Sequence, residues 1–373
     1  MEKLINENVF PTNAEIIQSV EVLFNELLHF RPGENLLLYV DEGSDLRVAH
    51  LIKKRVEDQG GQAKILQLSK TVVLDKQVLE ICNTIKNGSF QVMCELSEQY
   101  FYLTQAWRVA LEASIRVYSL AGLDSASFVR CVGKVNHSAM FKFGRELKKI
   151  LQKAHHLHIN SQNGTDIKMQ MGSISRMARF SGKRLDRLIT RFCKRPQSFI
   201  GDPSGILDGK KNRATFLGGQ VSFRGVPRTI EGIAVIDGYM WPPDEIGSLE
   251  NPLVLKIEKG SIVEISGCSE KSPLLKKRFH GQPIEIEHLC IGFNPGARLP
   301  SKILEAERVF GSISIGIGKG SFHTDGVIKN LSLKVDNTWI AENGAFISPQ
   351  WSSFIPHSYS PAPAPLKPKK TDV

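Results

Sequence analysis

The hydrophobic pattern of this chain changes its period near residue 156, and no other feature limits its fold so strongly. Before that point, helical and extended segments alternate. Residues 14–28 carry Ile16, Ile17, Val20, Leu23, Leu27 and Leu28 at helical spacing. Pro32-Gly33 then leads into residues 35–40, a short apolar run of the kind found in strands buried on both faces. Ser44 is placed to cap a helix over 46–59, which Gly60-Gly61 ends before a strand at 63–66. Further strands are expected at 90–94 and 115–119, with a helix over 105–112 between them. Strand–helix–strand units of this length predict an α/β fold whose residues 1–150 form a Rossmann-like domain with a parallel sheet.

From residue 156 onward, two-residue alternation dominates. Residues 156–159 alternate, Asn163-Gly164-Thr165-Asp166 makes a turn, and 167–171 follow as the next strand. Extended runs at 232–238, at 253–265 with its Lys259-Gly260 turn, and at 313–317 and 331–335 complete the pattern, with one helix expected over 301–310. The expectation is a β-rich C-terminal domain over 155–350, then a tail at 356–373 whose Pro, Ser and Lys content predicts disorder.

The net charge of +10 suggests nucleic acid at first sight, but the charge is concentrated. Between residues 173 and 196, Arg176, Arg179, Lys183, Arg184, Arg187, Arg191, Lys194 and Arg195 face Asp186 alone. Within that stretch Leu185, Leu188, Ile189 and Phe192 fall on one helical face. We read it as a basic helical insertion, a lid or a subunit contact, on an otherwise near-neutral body. Nucleic acid is not the expected partner. The six cysteines include no Cys-x-x-Cys pair, no apolar run reaches membrane-spanning length, and the first residues lack a secretory pattern. These features suggest a cytoplasmic protein.

Chemistry concentrates in two short segments, 286–292 and 322–326. They offer His288, His323 and Asp325: two imidazoles and one carboxylate, the ligand set of a mononuclear non-haem Fe(II) centre. His323 and Asp325, two residues apart, share one face of a strand, and His288 must come from a neighbouring strand. Cys290 shares the face of His288 and is read as a packing residue. His155, His156 and His158 are read as structural or exposed, and His280 as a surface residue. Asp166 and Asp237 are read as turn residues. No general base is identifiable, so the catalytic residues are unknown at this point.

Several segments of the second half resemble those of the thermophilic-type metalloaminopeptidases. Gly164-Thr165-Asp166 is similar to a turn that opens that family's second domain. Gly218-Gly219-Gln220-Val221-Ser222-Phe223 and Glu231–Gly238 resemble its Gly-Gly-Glu-Val-Phe and Val-Ile-Asp-Gly segments, and 288–298 and 323–327 resemble its Glu-Leu-Gly-Ile-Gly-Thr-Asn-Pro and His-Leu/Ile-Asp-Gly-Val segments. The resemblance spans roughly 155–346 and implies a site of two metals held by six ligands. Here Gln220 and His288 stand at the two glutamate positions, and residues 311–322 supply neither the further histidine nor the tyrosine. Two of the six ligands, His323 and Asp325, remain.

The 2,5-dihydroxypyridine 5,6-dioxygenases, a divergent branch of the same superfamily, show the same exchange. That resemblance implies one Fe(II) ion held by His288, His323 and Asp325. It also implies cleavage of a hydroxylated N-heterocyclic or related aromatic ring, with both atoms of O₂ entering the broken bond. The 2-oxoglutarate oxygenases do not fit, since their third ligand is a histidine downstream of the His-x-Asp pair. The expected partners are a small aromatic or heterocyclic substrate and O₂, in a homo-oligomer. Arg298 and Gln220 are expected to contact substrate. A one-metal hydrolase and a degenerate, non-catalytic binding protein are the alternatives.

Overall fold

The computed structural model describes residues 10–102, 104–172, 205–207, 213–281, 284–319 and 323–347. The basic segment 173–196 and the tail 356–373 lie outside the described residues.

The N-terminal part is a parallel sheet between helices. Strands Leu36–Val40, Ala63–Gln67, Val92–Glu95 and Arg116–Ser119 pair in parallel, with Leu36–Val40 between the second and third. Leu36–Val40 is buried on both faces, as an uninterrupted apolar run between two helical layers requires. The helix Leu46–Asp58 is capped by Asp45, whose Oδ1 accepts the Arg47 N–H at 3.0 Å. Ser44, the residue the sequence offered, instead accepts the Asp41 N–H through its hydroxyl. The helix at Asn13–Val22 begins with a capping box of Thr12 and Glu15, and the chain winds on into a π-helical turn at Leu23–Leu28.

A fifth strand comes from far along the chain. Ala214–Phe216 pairs in parallel with Arg116–Ser119 and closes the sheet on that side. The next residues, Leu217 to Gly219, lead directly into the antiparallel region.

The remainder folds as two antiparallel sheets around one apolar core. A sheet of eight strands includes His156–Asn160, Asp166–Gln170, Glu231–Ile236 and Leu253–Glu258, near their expected positions. A sheet of six strands runs in the order Gly247–Ser248, Tyr239–Trp241, Thr324–Ile328, Ile313–Ile317, Ile286–Gly292, Gln220–Phe223. Leu289, Ile291, Ile313, Ile315 and Ile328 fill the core, together with Ile236 and Leu333. Each such side chain contributes about 1.5–3 kcal/mol on burial. Alternation then fixes the opposite face, because a slip of one residue would exchange core and site. The helix expected over 301–310 shrinks to Ile303–Ala306. Beyond it Arg308 is 2% exposed and donates to the Leu217 and Leu304 carbonyls.

Candidate metal centre

The non-core face of the six-stranded sheet carries the site. His288 pairs in register with Gly316, and Gly316 pairs with Asp325. His288 therefore lies one strand further from Asp325 than the sequence suggested, with Ile313–Ile317 between them. The two side chains still meet: His288 Nε2 is 3.3 Å from Asp325 Oδ1. Gly316 makes this possible. A β-carbon there would sit 2.5 Å from His288 Cε1, 2.7 Å from its Nδ1 and 2.8 Å from Asp325 Oδ1. The missing side chain is the space in which the two groups converge.

His323 completes the cluster. Its Nε2 is 2.9 Å from Asp325 Oδ2, and its ring stacks on that of His288 with centroids 5.1 Å apart. One carboxylate thus bridges two imidazoles. Burial alone would raise the pKa of Asp325, but the close imidazole of His288 and the hydrogen bond with His323 overcome this and hold it well below the usual carboxylate range. Burial likewise opposes a charge on either histidine, yet both are raised: His288 by Cys290 and Asp325, His323 chiefly by Asp325. Asp325, whose Oδ1 lies 3.3 Å from His288 Nε2, is the cause we hold to for His288.

Two carboxylates that sequence reasoning missed adjoin these residues. Glu287 is the extra residue of a β-bulge, where the register shifts between Ile286 and His288. Simple alternation puts Glu287 on the far face, but its Oε2 lies 3.0 Å from His323 Nδ1. The approach is out of line for a hydrogen bond, and His323 Nδ1 has no such partner among the described residues. Glu307, in the turn after Ile303–Ala306, is raised by burial and then by Asp325, while Arg308, His288 and His323 act against that rise. No motif could have indicated it.

The donors fit a cation. Glu287, His288 and His323 place ligand atoms within 4.8 Å of one another, as do His288, Cys290 and Glu307. Asp325 belongs to neither group, although its oxygens lie 3.3 Å from His288 Nε2 and 2.9 Å from His323 Nε2. Asp325 Oδ1, His323 Nδ1 and Gln220 Oε1 are buried without hydrogen-bond partners among the described residues, an expensive state for polar atoms unless something binds them.

The site opens on a cavity of about 1530 Å³ that reaches the parallel sheet at Ala214–Phe216. Tyr100 and Tyr102 reach it from the loop after Val92–Glu95. The Tyr100 ring lies 5.1 Å from that of Trp241, and Tyr102 meets Phe216 edge-on at 4.6 Å. Gln220 lines this cavity. Arg298 does not: its side chain is exposed, and its backbone N–H is held by Glu305 Oε1 at 2.9 Å. The guanidiniums on the wall come instead from Arg213, Arg224, Arg278 and Arg308.

The resembling segments find their structural reason in Asn294, which is fully buried. Its Nδ2 donates to the Gly218 and Cys131 carbonyls, tying the Gly218-Gly219-Gln220 segment to the N-terminal part. Gly219 is needed because a β-carbon there would strike Asn294 at 2.4 Å. The other candidates stay apart from the centre. His158 pairs with Asp166 at 2.7 Å, Asp237 accepts the Lys329 N–H, and His156 and His280 are exposed. Asp166 and Asp237 thus bind groups outside their own turns.

No protein-family model and no curated protein matches the sequence. Solved structures do. The 2,5-dihydroxypyridine dioxygenase of Pseudomonas putida KT2440 superposes with a TM-score of 0.66 at 13% identity, covering 91% of this chain and 99% of its own. AmpT from Thermus thermophilus superposes with a TM-score of 0.60 at 12% identity, covering 90% and 100%. The chain shares their fold. At such identities the likeness carries the architecture and leaves the chemistry to the side chains.

Proposed function

We propose that the protein is a mononuclear non-haem Fe(II) dioxygenase that cleaves a hydroxylated N-heterocyclic or related electron-rich ring, with His288, His323 and Asp325 as the metal ligands. The observation that carries this reading is the convergence of His288 and Asp325 over Gly316, with His323 stacked alongside. Gln220, neutral at a position where the resembling hydrolases carry an acidic ligand, favours one metal over two. Iron would supply redox chemistry with O₂ that no side chain provides.

The chain's own residues have separate tasks. Tyr100 with Trp241, and Tyr102 with Phe216, offer flat walls against which a ring can be held. The Tyr100 hydroxyl, buried without a partner among the described residues, can hydrogen-bond a ring oxygen. Arg278 donates to Thr324 Oγ1 at 2.9 Å and to the His323 carbonyl at 3.1 Å, holding the strand that presents His323 and Asp325. Free thiols at Cys82, Cys94, Cys131, Cys268 and Cys290 suit a reducing compartment. Among the described residues no helix is long and apolar enough to cross a membrane. The same reading places the protein in the cytoplasm as a homo-oligomer.

A one-metal hydrolase is the second reading. The His288, Cys290 and Glu307 donor set favours it, since a thiolate suits zinc. Anaerobic loading with Fe(II), followed by oxygen-electrode assays over dihydroxypyridines, catechols and aminophenols, separates the two. Oxygen uptake is expected with at least one of these rings. Zinc retained through aerobic purification, with peptide cleavage and no uptake, would replace the dioxygenase reading with the hydrolase.

A further inference from the structure

We infer that the ring carries a carboxylate, and that Arg224 receives it beside His288. This inference rests on the ring-cleavage reading and names the substrate class for it. Strand Gln220–Phe223 pairs antiparallel with Ile286–Gly292, with Leu289 opposite Phe223 and Cys290 opposite Ser222. The next position in that register sets Arg224 opposite His288. Gln220, Ser222 and Arg224, two residues apart, all line the cavity, so the stripe that begins at the substituted glutamate position ends in a guanidinium next to a metal ligand.

The local bonding orients Arg224 without using it up. Its Nε donates to the Glu287 carbonyl, and its Nη2 is 3.6 Å from Glu287 Oε1. Its Nη1 has no partner among the described residues. A half-exposed pair at 3.6 Å is weak, so a ligand carboxylate competes with Glu287 at little cost. A guanidinium already fixed at Nε presents its remaining donors to a planar carboxylate in ready geometry.

The charge of the cavity points the same way. Four guanidiniums line it, from Arg213, Arg224, Arg278 and Arg308, against the carboxylates of Glu287, Glu307 and Asp325. Glu307 Oε2 is 3.6 Å from Arg308 Nη1, and Asp325 is engaged by the two imidazoles. A divalent cation would make the wall more positive still, and a neutral diol would leave the Arg224 guanidinium with only its weak pair to Glu287. A ring with a carboxylate beside its hydroxyl groups supplies the missing anion, while Tyr100, Trp241, Tyr102 and Phe216 take its faces.

The test uses the matched pair 2,5-dihydroxybenzoate and 1,4-dihydroxybenzene, which differ by the carboxylate. Binding to the full chain is followed anaerobically by tryptophan fluorescence or calorimetry, with Fe(II) and without metal. The carboxylated probe should bind at least about tenfold more tightly. Arg224→Gln should remove most of that preference and leave affinity for the neutral probe unchanged, while Arg224→Lys should retain part of it. Equal affinity of wild type for the two probes overturns the inference, and so does a preference that survives Arg224→Gln in a folded variant. If Arg224→Gln does not fold, the wild-type comparison and Arg224→Lys decide. Iron content and oxygen uptake are measured on the same sample. Iron bound and a neutral ring consumed, with no carboxylate preference, defeats this inference and leaves the ring-cleavage reading standing. No iron and no uptake removes the ring-cleavage reading itself.

Discussion

Replacing Gly316 by alanine should abolish metal binding at the proposed site while leaving the fold. The β-carbon would stand 2.5 Å from His288 Cε1 and 2.8 Å from Asp325 Oδ1. Ordinary contact begins near 3.4 Å, so the imidazole must retreat by about 0.9 Å and the carboxylate by about 0.6 Å. Ligand positions in a working site are held to about 0.2 Å. The displacement is several times larger and separates the two groups that a cation must join. Residue 316 has no left-handed backbone requirement, so the alanine is tolerated by the chain and opposed by the side chains facing it. Overpacking of this kind costs about 1–3 kcal/mol of stability. Metal affinity should fall by about 100-fold or more, at or beyond the upper end of losses seen when a ligand's support is disturbed. Anaerobic titration with Fe(II), read by the fluorescence of a competing chelator, measures the affinity, and a urea melt measures the stability. Unchanged affinity in a folded Gly316→Ala would show that His288 and Asp325 do not act as one site.

Other residues give independent tests. Asn294→Ala leaves the buried Gly218 and Cys131 carbonyls without their donor, which at about 1–3 kcal/mol each should lower the denaturant midpoint clearly, an effect that denaturant unfolding reads directly. Glu95 is fully buried, and burial pushes its pKa up to about 7. Between its ordinary value of 4.5 and about 7, the native state binds a proton that the unfolded chain has lost. Stability therefore falls as pH rises through that window, by up to about 3 kcal/mol. Glu95→Gln should raise the melting temperature at pH 8 and leave it nearly unchanged at pH 5; equal effects at both values would contradict the assignment. Saturating divalent metal at about 100 times its dissociation constant should stabilise the wild type by about 2.7 kcal/mol and Asp325→Asn by much less, and scanning calorimetry with and without chelator compares the two.

The architecture was legible because period reports burial. Apolar runs marked the doubly covered strand at Leu36–Val40, and alternation marked Ile313–Ile317. The fifth parallel strand, Ala214–Phe216, was not legible: three residues carry too little period, and their partner lies about 100 residues earlier. At the site, the spacing of His323 and Asp325 placed them together, since both sit on or beside one strand. His288 stands one strand further from Asp325 than its sequence suggests, because sheet order is a long-range property that no local pattern records. A glycine then compensates for the added distance. Glu287 was missed because a bulge breaks the two-residue rule at that point, and Glu307 because its turn has no repeating pattern. Arg298 was expected from its nearness in sequence to His288, yet the chain turns away at Asn294 and leaves it in solvent.

The central claim is that His288, His323 and Asp325 form one iron site. Anaerobic Fe(II) titration with metal analysis, carried out on wild type, His288→Ala, Asp325→Asn and Gln220→Ala, tests it most directly. The account predicts about one iron per chain in wild type and in Gln220→Ala, and none retained when His288 or Asp325 is replaced. Two metals per chain, or iron that survives the loss of His288, would contradict it.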